Sequence, residues 1–447
     1  MLLPPNSSNC TDSWYNRKHI MRIGLFTDTY RPSINGIVYV VDITRQHLES
    51  MGHEVFIFCP AEGVRLDREE FDDDHIIRFR SMKGVFFDDY NLSLFFPAVE
   101  LRRIKELELD VIQFFTPSQV GLMGVYAAQK TGAVLVAQHS TDLSQYIKHY
   151  PAVVPGLLMI AMMLPLTFRF HGQDVRELMR LYKPRRVVAD WGQDIIERLI
   201  AMIYSRCDAV IALSKKSQQQ LGSWRDEYWY DVTTVPTGIN ALKKPTDSQV
   251  AKFKAMHGIA DTDEVVLYAG RLSAEKNLDL LIPMIKKVLR KRPNARLLYV
   301  GDFDYREALE QLADESGVRD RITFTGALPR EELGVAYASA MIFAFPSLTD
   351  TQGLVLHEAA HAGLPFVLID RDVSEVVHDG ENGFVARNNP TSFAECVVKL
   401  LEDDELRQKY GETSKQLART YGEYTQTKKL EHIYLQAIAK RHAAETE

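Results

Sequence analysis

Short apolar runs recur along the chain, each followed by a polar or glycine-bearing loop and then by a stretch with helical spacing. Ile23–Thr27 (IGLFT) predicts a strand, and Asp28–Gly36 a loop punctuated by Pro32 and Gly36. The segment beyond predicts an amphipathic helix with Val40, Val41, Leu48 and Met51 among its apolar positions and Gly52 as its stop. Val55–Cys59 predicts the next strand. A strand, a helix and a strand in that order imply parallel neighbours joined by a right-handed crossover. The alternation continues through strands at Val111–Phe115, Val134–Gln138 and Ala209–Leu213, with Ser214 placed to cap the helix that follows.

After Thr234-Val-Pro-Thr-Gly-Ile-Asn240 the rhythm restarts. Val265–Ala269 predicts a strand, Asn277–Arg290 a helix, and Arg296–Val300, Ile322–Phe324, Ile342–Phe345 and Phe366–Ile369 further strands. Two such sets predict an α/β protein of two doubly wound domains joined near Pro236–Gly238. Ligands in such sheets sit beyond the carboxyl ends of the strands, and with two facing domains the expected place is the cleft between them. One segment breaks the pattern: Gly156–Phe168 (GLLMIAMMLPLTF) is nearly all apolar, contains Pro165, and is followed by Arg169, Arg176, Arg180, Lys183, Arg185 and Arg186. It is too short to span a bilayer. It reads either as a buried helix or as a stretch lying in a membrane interface, its cations against anionic headgroups.

Composition narrows the class. The 447 residues are 46% hydrophobic and 25% charged, which suits ordinary globular cores and excludes a disordered, collagen-like or disulfide-scaffold chain. No uninterrupted apolar run reaches the length of a membrane-spanning helix. A net charge of −7 argues against bulk attraction to nucleic acid. Cys10, Cys59, Cys207 and Cys396 lie far apart without CxxC spacing, which suits a reducing compartment and offers no zinc framework. Residues 1–20 read as a polar extension without the charged and apolar regions of a signal peptide.

Candidate chemistry clusters at predicted strand ends. The loop DTYRPSINGIVYVV opens a helix at Gly36, where backbone approaches a phosphate closely and the helix dipole favours an anion; the same loop also serves as a plain strand-to-helix turn. In YAGRLSAEKNLDLLI, Arg271 follows a strand and Lys276 precedes a helix, a pair of cations suited to a diphosphate or to a solvated loop. In SLTDTQGLVLHEAAHAGLPFVLID, Asp350 and Glu358 flank Gly353. Were the stretch largely helical, a rise of about 1.5 Å per residue would set the carboxylates ~12 Å apart, the span from a sugar ring to a ribose across a diphosphate. The amides near Gln352, Gly353 and Leu354 would face the phosphates, while the plainer alternative makes Asp350 a helix cap and Glu358 a solvated residue. His139 ends the strand VLVAQH, where it is either a structural histidine or one placed to donate to a sugar hydroxyl or a leaving oxygen.

Two motifs point elsewhere. His357-Glu358-Ala359-Ala360-His361 spells the HExxH of zinc hydrolases, though Gly363-Leu-Pro365 ends its helix at once and no third-ligand motif follows. Asp302-Phe303-Asp304 is a nominal DxD for magnesium, but it follows a strand and Gly301 and runs directly into a helix, which favours a capping role. The run KKVLRKR (Lys286–Arg292) closes a helix C-terminus, where cations are favoured in any case.

In order along the chain, FTDTYRPSINGI, AQHSTD, VPTGIN, YAGRLSAEKN, VGDFDYREAL, ITFTGALPREEL and TDTQGLVLHEAAHAGLPFV together resemble glycosyltransferase family four, the retaining enzymes with the GT-B fold. The resemblance runs from Met21 to the C-terminal helix. It implies two Rossmann-like domains facing across a cleft: residues 21–238 on the acceptor side, 239–420 binding a nucleotide-sugar donor, and a helix over 421–447 returning to the first domain. It implies that Gly36 lets the first loop reach the diphosphate, that His139 contacts the donor sugar, and that Arg271 and Lys276 meet the diphosphate in place of a metal. Asp350 and Glu358 then occupy the two acidic positions, the second on the ribose, and Phe324–Leu328 lie where the base is held. Aspartate at 350 is one methylene shorter than the usual glutamate, which either draws the backbone closer to the sugar or weakens that contact. Asn240 stands where aspartate is common.

FTDTYxPxxNG, VPTGI and TxTQGL are most similar to the glycolipid-forming branch, which transfers glucose to diacylglycerol. The expectation is a hexosyltransferase moving glucose from UDP-glucose to a lipid hydroxyl with retention, needing no metal cofactor and binding no nucleic acid. It would work in the cytoplasm, peripheral on the inner face of the cell membrane, with Gly156–Phe168 at the lipid surface. Mannosyl transfer to a phosphatidylinositol-type or soluble sugar acceptor, a zinc hydrolase, and a nucleotide-sugar binding module without turnover are the alternatives.

Overall fold

The computed structural model describes residues 20–33, 35–63, 72–83, 91–93, 98–142, 188–225 and 228–446, with the single positions Leu164, Gly172, Asp174 and Arg176. The chain forms two compact units, both discontinuous in sequence. The first comprises Met1–Ala212, Leu221–Val235 and Thr427–Glu447; the second comprises Leu213–Gln220 and Pro236–Gln426.

The first unit is built on strands β1 (Arg22–Phe26), β2 (Glu54–Pro60), β3 (Ile76–Phe79), β6 (Val111–Phe114), β7 (Val134–Gln138), β8 (Ala209–Ala212) and β9 (Val232–Thr234), with β4 (Ser81–Lys83) and β5 (Asn91–Ser93) pairing as a separate antiparallel ribbon. The sheet is parallel in the order β3-β2-β1-β6-β7-β8-β9. Its central strands are continuous apolar runs because helices cover both faces. The expected strand at 23–27 thus lies one residue earlier, and the expected helix spans Gly36–Ser50. Helix Glu423–Thr446 carries the chain back from the second unit. The Tyr434 hydroxyl bonds to Gln113 on β6, and Arg441 donates at 2.6 Å to the carbonyls of Gly132 and Ala133 and sits 2.5 Å from Asp208. The return of the C-terminal helix implied by the resemblance is therefore present. Gly156–Phe168 lies outside the described residues apart from Leu164, which is buried in this unit's core. Of residues 1–20, only Ile20 is described.

The second unit carries β10 (Glu264–Ala269), β11 (Ala295–Val300), β12 (Ile322–Phe324), β13 (Ile342–Phe345), β14 (Phe366–Leu368) and β15 (Gly383–Val385). They run parallel in the order β12-β11-β10-β13-β14-β15, the doubly wound order 3-2-1-4-5-6. One expected helix needs correction: Asn277–Arg290 holds one 3₁₀ turn, Leu278–Leu280, followed by an α-helix over Leu281–Val288, and another 3₁₀ turn, Ala274–Lys276, precedes it. Pro283 explains the late start, since a proline lacks the N–H that a helix interior requires and is accepted only in the first turn. Asn277 breaks the path with a left-handed φ of 58°. The Ser214 cap is present: its hydroxyl accepts from the Ser217 amide at 3.2 Å at the start of helix Lys215–Ser223.

Candidate functional site

In the second sheet the strand order reverses between β10 and β13, and the loops leaving their carboxyl ends carry most of the expected donor-site residues. β10 ends at Ala269, two residues before Arg271. The Arg271 guanidinium is half exposed, lies 5.1 Å over the Phe303 ring and stands 3.5 Å from Glu275. β13 ends at Phe345, and residues 346–353 lead into helix Leu354–Ala362. From the 3₁₀ turn that follows Arg271, the Lys276 ammonium reaches Asp350 Oδ1 at 2.8 Å. Burial by itself raises the Asp350 carboxyl. The charge and hydrogen bond of Lys276, the nearby Ser347 hydroxyl and the charge of Lys216 outweigh it and hold the group below the usual carboxylate range. Its second oxygen, Oδ2, is buried and has no hydrogen-bond partner within the protein.

The stretch from Asp350 to Glu358 is not largely helical. Gly353, at φ 69°, caps a helix that begins only at Leu354, so the ~12 Å spacing expected from a continuous helical rise does not apply. The Gln352 side chain is structural. It accepts from the Thr237 amide and donates to the Thr237 carbonyl, both at 2.9 Å. The amides at Gly353 and Leu354 open the helix, where first-turn N–H groups lack intrahelical partners and the dipole favours an anion. Glu358 is neither a solvated residue nor an open carboxylate: it is buried, with Arg330 2.8 Å from Oε1 and the Tyr337 hydroxyl donating to Oε2 at 2.8 Å. A carboxylate accepts about four hydrogen bonds, so both oxygens keep capacity for a ligand hydroxyl.

The HExxH spelling is accounted for by other bonds, and the zinc-hydrolase alternative finds no support. Both Gln352 amide hydrogens are used, one on Thr237 O and one on His357 Nε2 at 3.1 Å, which leaves the His357 proton on Nδ1. His361 Nε2 donates to Ile239 O at 2.8 Å. With Glu358 tied to Arg330 and Tyr337, the three residues face three different partners. Among the described residues no group of three His, Cys, Asp or Glu stands ready for a metal. In the DxD, Asp302 pairs with Arg306 at 2.9 Å.

In the first unit the corresponding reversal lies between β1 and β6. The loop after β1 is tied to the start of helix Gln119–Thr131, which follows β6, by Asp28, which accepts from the Val120 amide at 2.8 Å. Gly36 is the first helical residue rather than the turn itself. Asn35 is the cap, accepting from the amides of Ile37 and Val38 at 3.0 and 3.1 Å. His139 follows β7 and is fully buried, edge-on to Trp224, with Nδ1 3.0 Å from the Tyr204 hydroxyl. Burial holds the Tyr204 phenol protonated. A phenol that donates to Nδ1 leaves the fewest polar groups unpaired and puts the imidazole proton on Nε2, which is buried without a partner.

Burial pushes His139 down to about 4, against the nearby Asp142, and pushes His357 down to about 3, helped by His361. An unfolded histidine titrates near 6.5, so below that value the unfolded chain binds more protons, and stability falls as the pH drops from 6.5 towards 4. Each ring is expected to remove up to about 2 kcal/mol at pH 5 relative to pH 7. Urea unfolding at the two pH values measures this, and His357→Gln should remove one ring's contribution to the difference.

Several functional residues carried no local signal in the sequence. Asn35 sits beside the glycine that draws attention. Arg330, Tyr337 and Lys216 meet their carboxylate or carbonyl partners only through tertiary folding.

The second unit thus carries cations, carboxylates and a helix start at the switch point of a doubly wound sheet, a setting suited to a phosphate-bearing ligand. Family models give the class: residues 34–241 match "Glycosyltransferase Family 4" and residues 249–417 match "Glycosyl transferases group 1". The chain belongs to glycosyltransferase family four and is a hexosyltransferase. It is 25% identical over 437 residues to the alpha-monoglucosyldiacylglycerol synthase of Acholeplasma laidlawii, covering 94% of this chain and 98% of that one. The enzyme of the same name from Streptococcus pneumoniae is 27% identical over 78% of this chain and 70% of its own. In fold it is similar to sucrose-phosphate synthase of Thermosynechococcus elongatus, with a TM-score of 0.66 at 18% identity over 94% of this chain and 100% of that one. Anabaena HepE scores 0.65 at 18% identity over 92% and 98%.

Proposed function

We propose that the protein transfers glucose from UDP-glucose to the free hydroxyl of 1,2-diacylglycerol with retention at the anomeric carbon. Both relatives named above are diacylglycerol glucosyltransferases by name, and one of them is matched along nearly its whole length. The observation that carries the donor half of this reading is the Lys276–Asp350 pair with its unpartnered buried oxygen, beside half-exposed Arg271 and the start of helix Leu354–Ala362. Lys276 and Asp350 nearly cancel, so Arg271 and the helix amides supply the net positive field for a diphosphate.

In the proposed reaction the acceptor oxygen bonds to the anomeric carbon on the face from which the diphosphate departs. The carbon–oxygen bond to that diphosphate breaks, and the acceptor proton passes to the departing oxygen. Arg271, Lys276 and the amides of Gln352, Gly353 and Leu354 steady the developing charge without a metal. Asp350 Oδ2 takes a sugar hydroxyl and Glu358 the ribose. The lipid is drawn from a membrane surface, with Gly156–Phe168 as the stretch suited to it; no helix among the described residues is long and apolar enough to cross a membrane.

Labelled UDP-glucose with diacylglycerol vesicles should yield an α-glucolipid, its linkage read by NMR, at a rate unchanged by EDTA. A mannolipid from GDP-mannose and phosphatidylinositol vesicles would replace this reading with the mannosyl one. No lipid product from any nucleotide sugar would remove it.

A further inference from the structure

Helix Lys215–Ser223 follows β8 of the first unit, yet its opening residues pack with the second, on the loop that carries Asp350. The hydroxyls of Ser214 and Ser217, both buried, converge on one acceptor, the Thr351 carbonyl, at 2.5 and 2.9 Å. Between them in sequence, Lys216 places its ammonium 2.5 Å from the Leu348 carbonyl and 2.7 Å from Asp370 Oδ2. The helix start is itself held in place. The Lys215 amide donates to Glu375 Oε1 at 2.9 Å, and the Lys216 amide to the Asp372 carbonyl at 3.0 Å.

We propose that Ser214, Lys216 and Ser217 form a strap of positioning residues that fixes the 347–353 loop in the shape that receives the donor diphosphate. The inference rests on the reading of that loop as the nucleotide-sugar site. A trans planar peptide points its carbonyl and the following N–H in opposite directions. Two hydroxyls on the Thr351 carbonyl therefore fix the direction of the Gln352 amide, one of those assigned to the diphosphate. The loop is anchored at both ends as well, by Asn277 Nδ2 on the Pro346 carbonyl at 3.1 Å and by the Gln352 side chain on Thr237. What lies between the anchors is the Leu348 and Thr351 backbone held by the strap, with Asp350 between those two positions. Lys216 is also the second ammonium acting on the Asp350 carboxylate, after Lys276. These side chains hold a loop rather than fill a core, so their removal should alter ligand binding and turnover more than stability.

The test uses the full chain and four variants: Lys216→Met, Lys216→Arg, Ser217→Ala, and Ser214→Ala with Ser217→Ala. UDP affinity is measured by calorimetry, turnover with UDP-glucose on diacylglycerol vesicles, and folding by thermal melting. Lys216→Met should lower kcat by about 10- to 100-fold while the melting point moves by only a few degrees, because misplaced preorganised donors lose much of their effect. Lys216→Arg, which keeps a charge and a donor, should restore most of that loss. The double serine variant should bind UDP about tenfold more weakly, the loop no longer being preorganised. Folded Lys216→Met and double serine variants with UDP affinity and kcat within twofold of wild type would overturn the strap. If Lys216→Met does not fold, Ser217→Ala decides by the same criterion, since it deletes one of the two hydroxyls on Thr351. Failure of the wild-type protein to bind UDP would instead overturn the donor-site reading itself.

Discussion

Lys276→Met should lower turnover by about 10²–10³-fold, the loss that follows removal of one preorganised donor to a developing negative charge. The same change does something else that must be separated from it. It strips a partly buried carboxylate of the ammonium 2.8 Å away, and a charge left short of its partner in this way costs up to about 3 kcal/mol of stability, the low end of the range for a buried pair. Asp350→Asn removes that penalty by making the partner neutral. A double-mutant cycle resolves the two effects. The Lys276→Met, Asp350→Asn protein should regain most of the lost melting temperature while its turnover stays near the level of Lys276→Met alone. Recovery of turnover together with stability would mean that Lys276 serves only to neutralise Asp350, and that the diphosphate is met by other groups.

A second large loss of stability belongs to a residue with no side chain. Gly301 follows β11 at φ 140°, and a Cβ there would lie 1.9 Å from the carbonyl oxygen of Gly270, the residue after β10. Backbone strain of about 1–3 kcal/mol and a comparable overpacking cost add, since the obstacle is main chain and has no rotamer to give way. Gly301→Ala should therefore destabilise the second unit by roughly 3–5 kcal/mol. Gly317 is the control: it has φ 73°, and nothing lies within 4 Å of the place a methyl carbon would take, so Gly317→Ala should cost only the left-handed penalty of about 1–2 kcal/mol. Urea unfolding of both variants measures the difference, and equal costs would show that the strand ends separate to make room.

The interior of each sheet was legible in the chain because a parallel strand covered on both faces is a continuous apolar run. Val134–Gln138, Ile322–Phe324 and Ile342–Phe345 fall where that pattern places them. Edge strands were not: Gly383–Val385 is three residues long and opens on glycine, and Ile76–Phe79 follows an acidic stretch without its own turn signal. Helical spacing extended the helix before Leu281 because periodicity alone does not weigh what Pro283 forbids. At the site, the charged residues stood out but their pairings did not. Lys276 and Asp350 are 74 positions apart, and Arg330 and Glu358 are 28 apart, so no local spacing records that they meet. Ser214 shows the same limit from the other side: the cap was legible, whereas its bond to Thr351 was not.

The path of the chain also bears on how the protein is made. Thr427–Glu447 belong to the first unit but follow the second in sequence, and Arg441 and Tyr434 hold strand and loop positions some three hundred residues upstream. A ribosome therefore delivers all of the second unit before the first receives its last helix. During translation the surfaces around Gln113, Asp208 and the Gly132 carbonyl wait uncovered, while the later unit has every segment it needs and folds without waiting. A released chain truncated after Gln426 should accordingly leave the first unit open to proteases while the second, which has all its segments, is resistant.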